Sequence, residues 1–124
     1  MIGQHEPARR IMTLPEGTVT FLRSDIEGSM ELSRALGARY DELNLEHQAL
    51  VRSAIDQQGG QVVRTEGDAV FGVVTDAGAA ARAAVDIQRA MGAHDWPEGH
   101  ALRVRIGLHT GVATRAARLT SKPP

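Results

Sequence analysis

A short Gly-containing turn between two apolar runs constrains the fold of this chain more than any other feature. The turn is Thr65-Glu66-Gly67-Asp68, and it lies between the pairs Val62-Val63 and Val70-Phe71. Two β-prone runs separated by so short a polar stretch are typical of a tight β-hairpin. The sequence therefore predicts strands over 61–66 and 69–74, with one carboxylate, that of Asp68, at the tip of the hairpin.

Strand and helix patterns flank this hairpin on both sides. Alternation predicts strands over 17–24 and 102–109, and helical spacing predicts helices over about 29–36 and 38–58, with a third beginning at its N-cap Asp76. An Ala/Arg-rich helical fragment is expected after Gly111. The order is β-α-α-β-β-α-β. With right-handed crossovers it predicts an α+β fold, a split βαβ antiparallel sheet with helices on one face.

Composition limits the class of partner. The chain has 124 residues, which is one domain, and we expect a flexible leader over 1–16 before a domain over 17–124. Fourteen basic and 15 acidic residues give a net charge of −1, so we expect no nucleic-acid partner. The chain has no cysteine, which excludes disulfides and thiolate metal sites. No run approaches the ~20 apolar residues of a membrane-spanning helix, so we expect no membrane segment and a cytoplasmic location.

Two acids at strand ends form a candidate metal site. Asp25 closes the first predicted strand, and Asp68 lies in the hairpin turn. Two carboxylates ~4 Å apart repel by ~4 kcal/mol at an effective dielectric constant of ~20, so they need a cation or a proton between them. Oxygen ligands suit Mg²⁺ or Mn²⁺. The alternative is that Asp68 is only a turn residue and Asp25 only the N-cap of the next helix. Spacing leaves both interpretations open.

Three segments together resemble the catalytic domain of class III nucleotidyl cyclases, the adenylate/guanylate cyclase family. They are GTVTFLRSDIEGS (17–29), GGQVVRTEGD (59–68) and RVRIGLHTG (103–111), with a fourth fragment, RAARL, at 115–119. The resemblance implies a ferredoxin-like split βαβ core and conversion of ATP or GTP to a cyclic nucleotide and pyrophosphate. It also implies two Mg²⁺ or Mn²⁺ ions held by Asp25, Asp68 and the carbonyl of Ile26.

The resemblance extends to further site residues. Gly28 and Ser29 open a helix whose free backbone N–H groups favour a triphosphate. Arg64 resembles the base-reading Lys of the family, Arg118 matches its transition-state Arg, and Thr114 replaces its transition-state Asn. The family's sites lie across a head-to-tail dimer, which implies a homodimer or pairing with a complete cyclase domain.

The sequence also departs from the family pattern. Arg23 stands where the family usually has an apolar or aromatic residue, and it could either reach a phosphate or pair with Asp25 and compete with metal. Ala69 stands where the family commonly has Gly, which would strain the turn if φ there must be positive. Only Val112, Ala113 and Thr114 replace the expected dimerisation hairpin, and the triphosphate-binding Lys expected further on is absent.

These departures predict an internally deleted, truncated cyclase domain that is weak or inactive as this chain alone. Whether the chain is an enzyme is therefore open. The alternative is a non-catalytic pseudo-cyclase that binds metal, nucleotide or a partner protein. A diguanylate-cyclase-like fold is disfavoured because its Gly-Gly-acid turn is absent.

Four other polar or aromatic positions have structural explanations. We expect His109 to be structural, His47 to be a packed core residue, and Trp96 to anchor its loop over the third helix. The alternation of Arg103 and Arg105 is typical of a solvated strand face.

Overall fold

The computed structural model describes residues 17–97 and 99–113. The predicted leader over 1–16, the tail fragment from 114 onward, and with it Thr114 and Arg118, lie outside the described residues. In chain order the elements are β1 (Gly17–Ile26), α1 (Ser29–Leu36), α2 (Ala38–Gln57), β2 (Gln61–Glu66), β3 (Ala69–Val74), α3 (Ala77–Ala93) and β4 (Val104–Ala113). This order is the predicted one.

The four strands form one sheet in the order β2-β3-β1-β4, and every neighbouring pair is antiparallel. Because β3 is antiparallel to both β1 and β2, the strands β1 and β2 run in the same direction with β3 between them. This is the split βαβ arrangement, so the predicted α+β fold class is confirmed.

The main core lies between the sheet and the helices. Alternate residues of β1, Leu22 and Ile26, belong to it, together with Ile55 of α2 and Ile87 of α3. Each of these side chains is at most 1% exposed. Burying one such side chain contributes about 1.5–3 kcal/mol, so this layer fixes the helices on one face of the sheet.

The opposite side of the sheet carries the other residues of β1, and we call it the open face. Phe21, Arg23 and Asp25 lie on it, because successive side chains of a strand point to opposite sides. A smaller apolar cluster on this face, formed around Val19 and Val73, contains strand residues only. The charged side chains near the end of β1 therefore lie on the open face of the sheet and outside the main core.

The first strand is longer than predicted, and this changes the interpretation of Asp25. The strand continues to Ile26, so Asp25 lies inside it and opposite a residue of β4. The N-cap of α1 is Gly28, which has no side-chain capping hydrogen bond. The alternative in which Asp25 caps this helix is therefore wrong.

The last strand is displaced toward the C-terminus relative to the prediction. It begins at Val104, while Leu102 is buried before it, and it continues to Ala113. Val112 and Ala113, predicted to start a helical fragment, pair with the first residues of β1. The ten-residue β1 offers backbone partners along its full length, and this pairing outweighs the local helical preference of Ala.

Candidate functional site

Asp25 accepts hydrogen bonds from two arginines. Arg105 lies directly opposite it on β4, and the Arg105 Nε donates to Oδ1 at 2.9 Å. The Arg23 Nη1 donates to Oδ2 at 2.5 Å. The side chain of Asp25 is 9% exposed, whereas those of Arg23 and Arg105 are 55% and 68% exposed. The sequence left open whether Arg23 reaches a phosphate or pairs with Asp25, and in the structure it pairs with Asp25.

The two guanidinium groups keep Asp25 ionised. Burial raises the pKa of this carboxyl, but the hydrogen bonds and charges of Arg105 and Arg23 outweigh burial and hold the pKa below its usual value. The same contact raises the pKa of Arg105. One negative charge is thus matched by two positive charges.

Asp68 lies at the end of β1 because its side chain accepts a hydrogen bond from the backbone of that strand. The turn consists of Gly67, with φ of 60°, and Asp68, between the paired residues Glu66 and Ala69. The Asp68 Oδ2 accepts from the N–H of Ile26 at 2.8 Å. This bond fixes Asp68 at the backbone of the residue that follows Asp25, and a shared metal site of the two acids stays a prediction. Ala69 begins a strand. A metal-binding role for the Ile26 carbonyl stays a prediction.

Helix α2 holds this turn in place. Asn44 Nδ2 and Gln48 Nε2 both donate to the carbonyl of Gly67 at 3.1 Å. Because the amide nitrogen of Asn44 is used in this way, its Oδ1 accepts from Nδ1–H of His47, also at 3.1 Å. His47 is fully buried, as predicted for a core residue. It also supports the side chain that orients the turn.

The start of α1 lies near the same two acids. Gly28 has φ of 67° and ψ of 34°, a left-handed conformation that favours glycine. Only Glu27 and Gly28 separate Ser29, which begins the helix, from Ile26, whose N–H donates to Asp68. Burial raises the pKa of Tyr40, and the charge of Asp68 raises it further. The first N–H groups of α1 therefore begin in the neighbourhood of Asp68.

A β-bulge directs Arg64 to the open face. The register of β2 shifts between Val62 and Arg64, so that Arg64 pairs with Phe71. The guanidinium of Arg64 lies 4.0 Å from the centroid of the Phe71 ring, and that of Arg23 lies 5.7 Å from it. Arg64 also pairs with Glu66 at 3.2 Å. Three arginines from three strands thus lie on the open face with Asp25.

Sequence reasoning missed Arg105 and the bulge. Arg103 and Arg105 are exposed, as their alternation indicates, but the alternation does not predict the ion pair between Arg105 and Asp25. The signal for the bulge is the pair of consecutive apolar residues Val62-Val63, which interrupts the alternation of β2. No local signal identifies Arg105, since its contact depends on the register between β1 and β4.

The remaining predictions fall outside the site. His109 stacks on Phe21 with ring centroids 6.3 Å apart, which is consistent with a structural role. Trp96 packs against the main core, and its Nε1 donates to the carbonyl of Met91 on α3 at 2.8 Å. The prediction that Trp96 anchors its loop over the third helix is therefore confirmed.

The donor chemistry of the site fits a hard divalent cation. Within residues 17–97 and 99–113, no group of three or more His, Asp or Glu side chains is placed to hold a metal. Two carboxylates and a carbonyl would leave coordination positions for water and phosphate, which is typical of Mg²⁺ sites. A cation at Asp25 requires the arginines to move, and their exposed side chains allow this.

Within residues 17–97 and 99–113, no helix is long and apolar enough to cross a bilayer.

Sequence comparison identifies related proteins. The model of the adenylate and guanylate cyclase catalytic domain matches residues 12–120. Uncharacterized proteins of Mycobacterium tuberculosis and Mycobacterium bovis are 37% identical to this chain over 99 residues. That match includes 78% of this chain and 32% of each relative, so the chain spans about a third of the length of these relatives.

Solved structures of similar fold are cyclase domains. An adenylate cyclase of Trypanosoma brucei in its monomeric state is 25% identical with a TM-score of 0.73, over 82% of this chain and 60% of that one. A non-canonical dimeric guanylyl cyclase domain from Blastocladiella emersonii is 26% identical (TM-score 0.69; 77% and 58%). A guanylate cyclase domain from Catenaria anguillulae in complex with GTP is 28% identical (TM-score 0.62; 77% and 57%).

Proposed function

The chain belongs to the adenylate and guanylate cyclase catalytic domain family, and we propose that it binds ATP or GTP together with divalent cations on the open face of its sheet. The observation that supports this proposal is the hydrogen bond from the Ile26 N–H to Asp68, because it ties the Asp68 carboxylate to the backbone of the residue that follows Asp25. The GTP complex of a structural neighbour supports a nucleotide as ligand.

In this proposal the residues divide into cation ligands and nucleotide ligands. Asp25, Asp68 and the carbonyl of Ile26 hold two Mg²⁺ or Mn²⁺ ions, which when bound supply Lewis acidity and neutralise phosphate charge. The backbone N–H groups of Gly28 and Ser29 face the triphosphate.

Arg64 takes the position of the base-reading residue. Its guanidinium remains charged and planar over Phe71, which suits contact with a purine edge. ATP and GTP are both compatible with this arrangement.

The reaction we assign to the site is cyclisation. The ribose 3′-oxygen forms a bond to the α-phosphorus, the bond from that phosphorus to the pyrophosphate oxygen breaks, and the proton of the 3′-hydroxyl passes to water or to the released pyrophosphate. We assign to Thr114 and Arg118 the role of stabilising the transition state of this reaction. The site is completed by a second copy or by a fuller cyclase domain, in line with the dimeric structural neighbour.

A second function, nucleotide binding without catalysis, is favoured by one observation. Both carboxylate oxygens of Asp25 accept hydrogen bonds from arginines. An acid engaged in this way is a weaker metal ligand than a free carboxylate. A pseudo-cyclase that binds metal, nucleotide or a partner protein would tolerate this weakness, whereas efficient turnover would not.

Binding and turnover measurements with acid variants test the proposal. We expect Asp25→Asn and Asp68→Asn to weaken binding of Mn²⁺–nucleotide by about tenfold or more, as measured by isothermal titration. Asp56→Asn, an exposed acid at the end of α2, is the matched control and should bind like wild type. Equal affinity in wild type and Asp68→Asn would eliminate the site.

Product analysis separates the two functions. We expect little cyclic AMP or cyclic GMP from the isolated chain, because loss of one transition-state donor costs ~10²–10³-fold in rate. Product that forms at any rate and disappears in Asp25→Asn identifies an enzyme. Nucleotide binding without product identifies the non-catalytic module.

A further inference from the structure

We propose that Arg23 and Arg105 make cation binding and polyphosphate binding at Asp25 depend on each other. The inference rests on the proposed function, and it assigns a role to two arginines whose contacts the structure defines. Each arginine holds one oxygen of Asp25. When a metal–polyphosphate complex binds, the arginines exchange the carboxylate for phosphate.

A cation alone meets an obstacle at Asp25. The carboxylate is nearly buried, and its two oxygens accept from Arg23 Nη1 and Arg105 Nε. A cation that approaches either oxygen must displace a guanidinium or remain beside two positive charges, and both alternatives are unfavourable. The arginines therefore lower the affinity of the site for a bare divalent ion.

A polyphosphate alone meets the complementary obstacle. Guanidinium groups are strong phosphate ligands, because their planar donors form charge-assisted hydrogen bonds. Arg23 and Arg105, however, are already paired with Asp25, and Arg64 is paired with Glu66. Moving the first two to phosphate would leave Asp25 buried and uncompensated, which is unfavourable.

The two ligands together remove both obstacles. The cation takes the oxygens of Asp25, and the phosphates take the guanidinium groups, so every charge keeps an opposite partner. The side chains of Arg23 and Arg105 are more than half exposed and can therefore swing outward. Because such coupling is reciprocal, each ligand raises the affinity for the other by the same factor.

The test compares bare Mn²⁺ with preformed Mn²⁺–tripolyphosphate. Both are titrated against wild type, Arg23→Gln and Arg105→Gln, with Arg89→Gln on the exposed face of α3 as the matched control. We expect each site variant to bind bare Mn²⁺ more tightly and Mn²⁺–tripolyphosphate more weakly, by about fivefold or more in each direction. Partial unfolding cannot produce opposite changes. A loss of affinity for both ligands, or no change in either, would overturn the proposal.

A second measurement uses wild type alone and so does not depend on the folding of a variant. The Nε–H resonance of Arg105 should keep its chemical shift when Mg²⁺ alone is added and move when Mg²⁺–tripolyphosphate is added. A shift with Mg²⁺ alone would contradict the proposal. Binding of the complex that requires Asp68 but ignores both arginines would overturn this inference and leave the proposed function standing.

Discussion

At the scale of single residues, His47 is a titratable group whose pKa is lowered by burial in the folded protein. Its imidazole is 0% exposed, and its Nε2 has no hydrogen-bond partner in the described part of the chain. Burial lowers the pKa of His47, and the hydrogen bond with Asn44 and the charges of Asp68 and Asp25 offset part of this effect. The folded protein therefore prefers a neutral imidazole, whereas the unfolded chain protonates it with a pKa of about 6.5.

This preference makes stability depend on pH in a defined direction. Below pH ~6.5 the unfolded state binds more protons, so the free energy of unfolding falls as pH decreases, until pH reaches the folded-state pKa. In urea unfolding we expect a slope of at most ~1.4 kcal/mol per pH unit as pH falls below about 6.5. His47→Gln should flatten this slope, and His109→Gln, which alters an exposed imidazole, should retain it.

Titration of Asp25 does not contribute to the pH dependence of the free energy of unfolding in that pH range. Its pKa is lowered on folding, so its contribution is fully present above the unfolded value of about 3.9 and is lost only as pH falls through its folded pKa. If the free energy of unfolding of His47→Gln varied with pH as steeply as that of wild type, the slope could not be assigned to His47.

The roles of single residues were predictable from sequence only where they depend on neighbours along the chain. Asp25 and Asp68 could be named as candidate metal ligands because Asp25 comes directly after a run with strand-like alternation and Asp68 lies in a recognisable hairpin turn. The partner of Asp25 was not, because Arg105 lies 80 residues away and meets it only through the register of two strands. Burial of His47 followed from its place on the helical stripe, but its link to the turn through Asn44 did not.

At the scale of elements, the β2–β3 turn and helix α2 act as one unit. Asn44 and Gln48 both donate to the carbonyl of Gly67, and Asp68 in the same turn accepts from β1. The turn is therefore fixed from two sides. Its orientation determines where the carboxylate of Asp68 lies relative to Asp25.

Loss of the Asn44 side chain should affect both stability and metal binding. We expect Asn44→Ala to lower the free energy of unfolding by about 1 kcal/mol, because it removes a hydrogen bond to Gly67 and leaves His47 Nδ1 without its partner. It should also weaken Mn²⁺–nucleotide binding at temperatures where the variant is fully folded. Gln57→Ala, which removes an exposed contact to Ser53 on the same helix, is the control.

Urea unfolding and isothermal titration of the same samples distinguish two roles for Asn44. A loss of stability with unchanged metal affinity would show that Asn44 supports the fold but does not position Asp68. A loss of affinity in Gln57→Ala as well would show that any change on α2 reaches the site.

The hairpin was predicted correctly and the ends of the first and last strands, β1 and β4, were not, for one physical reason. Turn chemistry at Gly67 and Asp68 is local, so the bounds of β2 and β3 follow from the sequence. The bounds of β4 depend on the backbone groups that β1 presents, and these keep Val112 and Ala113 in the sheet. Local propensity cannot report such pairing.

At the scale of the whole molecule, one side of the sheet is covered by helices and the other carries the charged site. Among the described residues, β2 and β4 form the two edges of the sheet. Strand β4 is ten residues long and exposes two large apolar side chains, Leu108 at 44% and Val112 at 69%. Long strand edges with exposed apolar residues pair readily with other chains.

We therefore expect copies of this chain to associate through β4. In sedimentation velocity, the weight-average sedimentation coefficient of wild type should rise with protein concentration and describe a mixture of species. Val112→Lys should reduce this rise, because a charge on an edge strand opposes pairing with a second edge. Leu45→Lys, at an equally exposed position on α2 (66%), is the matched control and should associate like wild type.

A wild-type protein that stays monomeric at all concentrations, or an equal effect of the two lysines, would contradict the role of β4. A single, concentration-independent dimer would instead indicate a defined interface and would strengthen the case for a shared catalytic site.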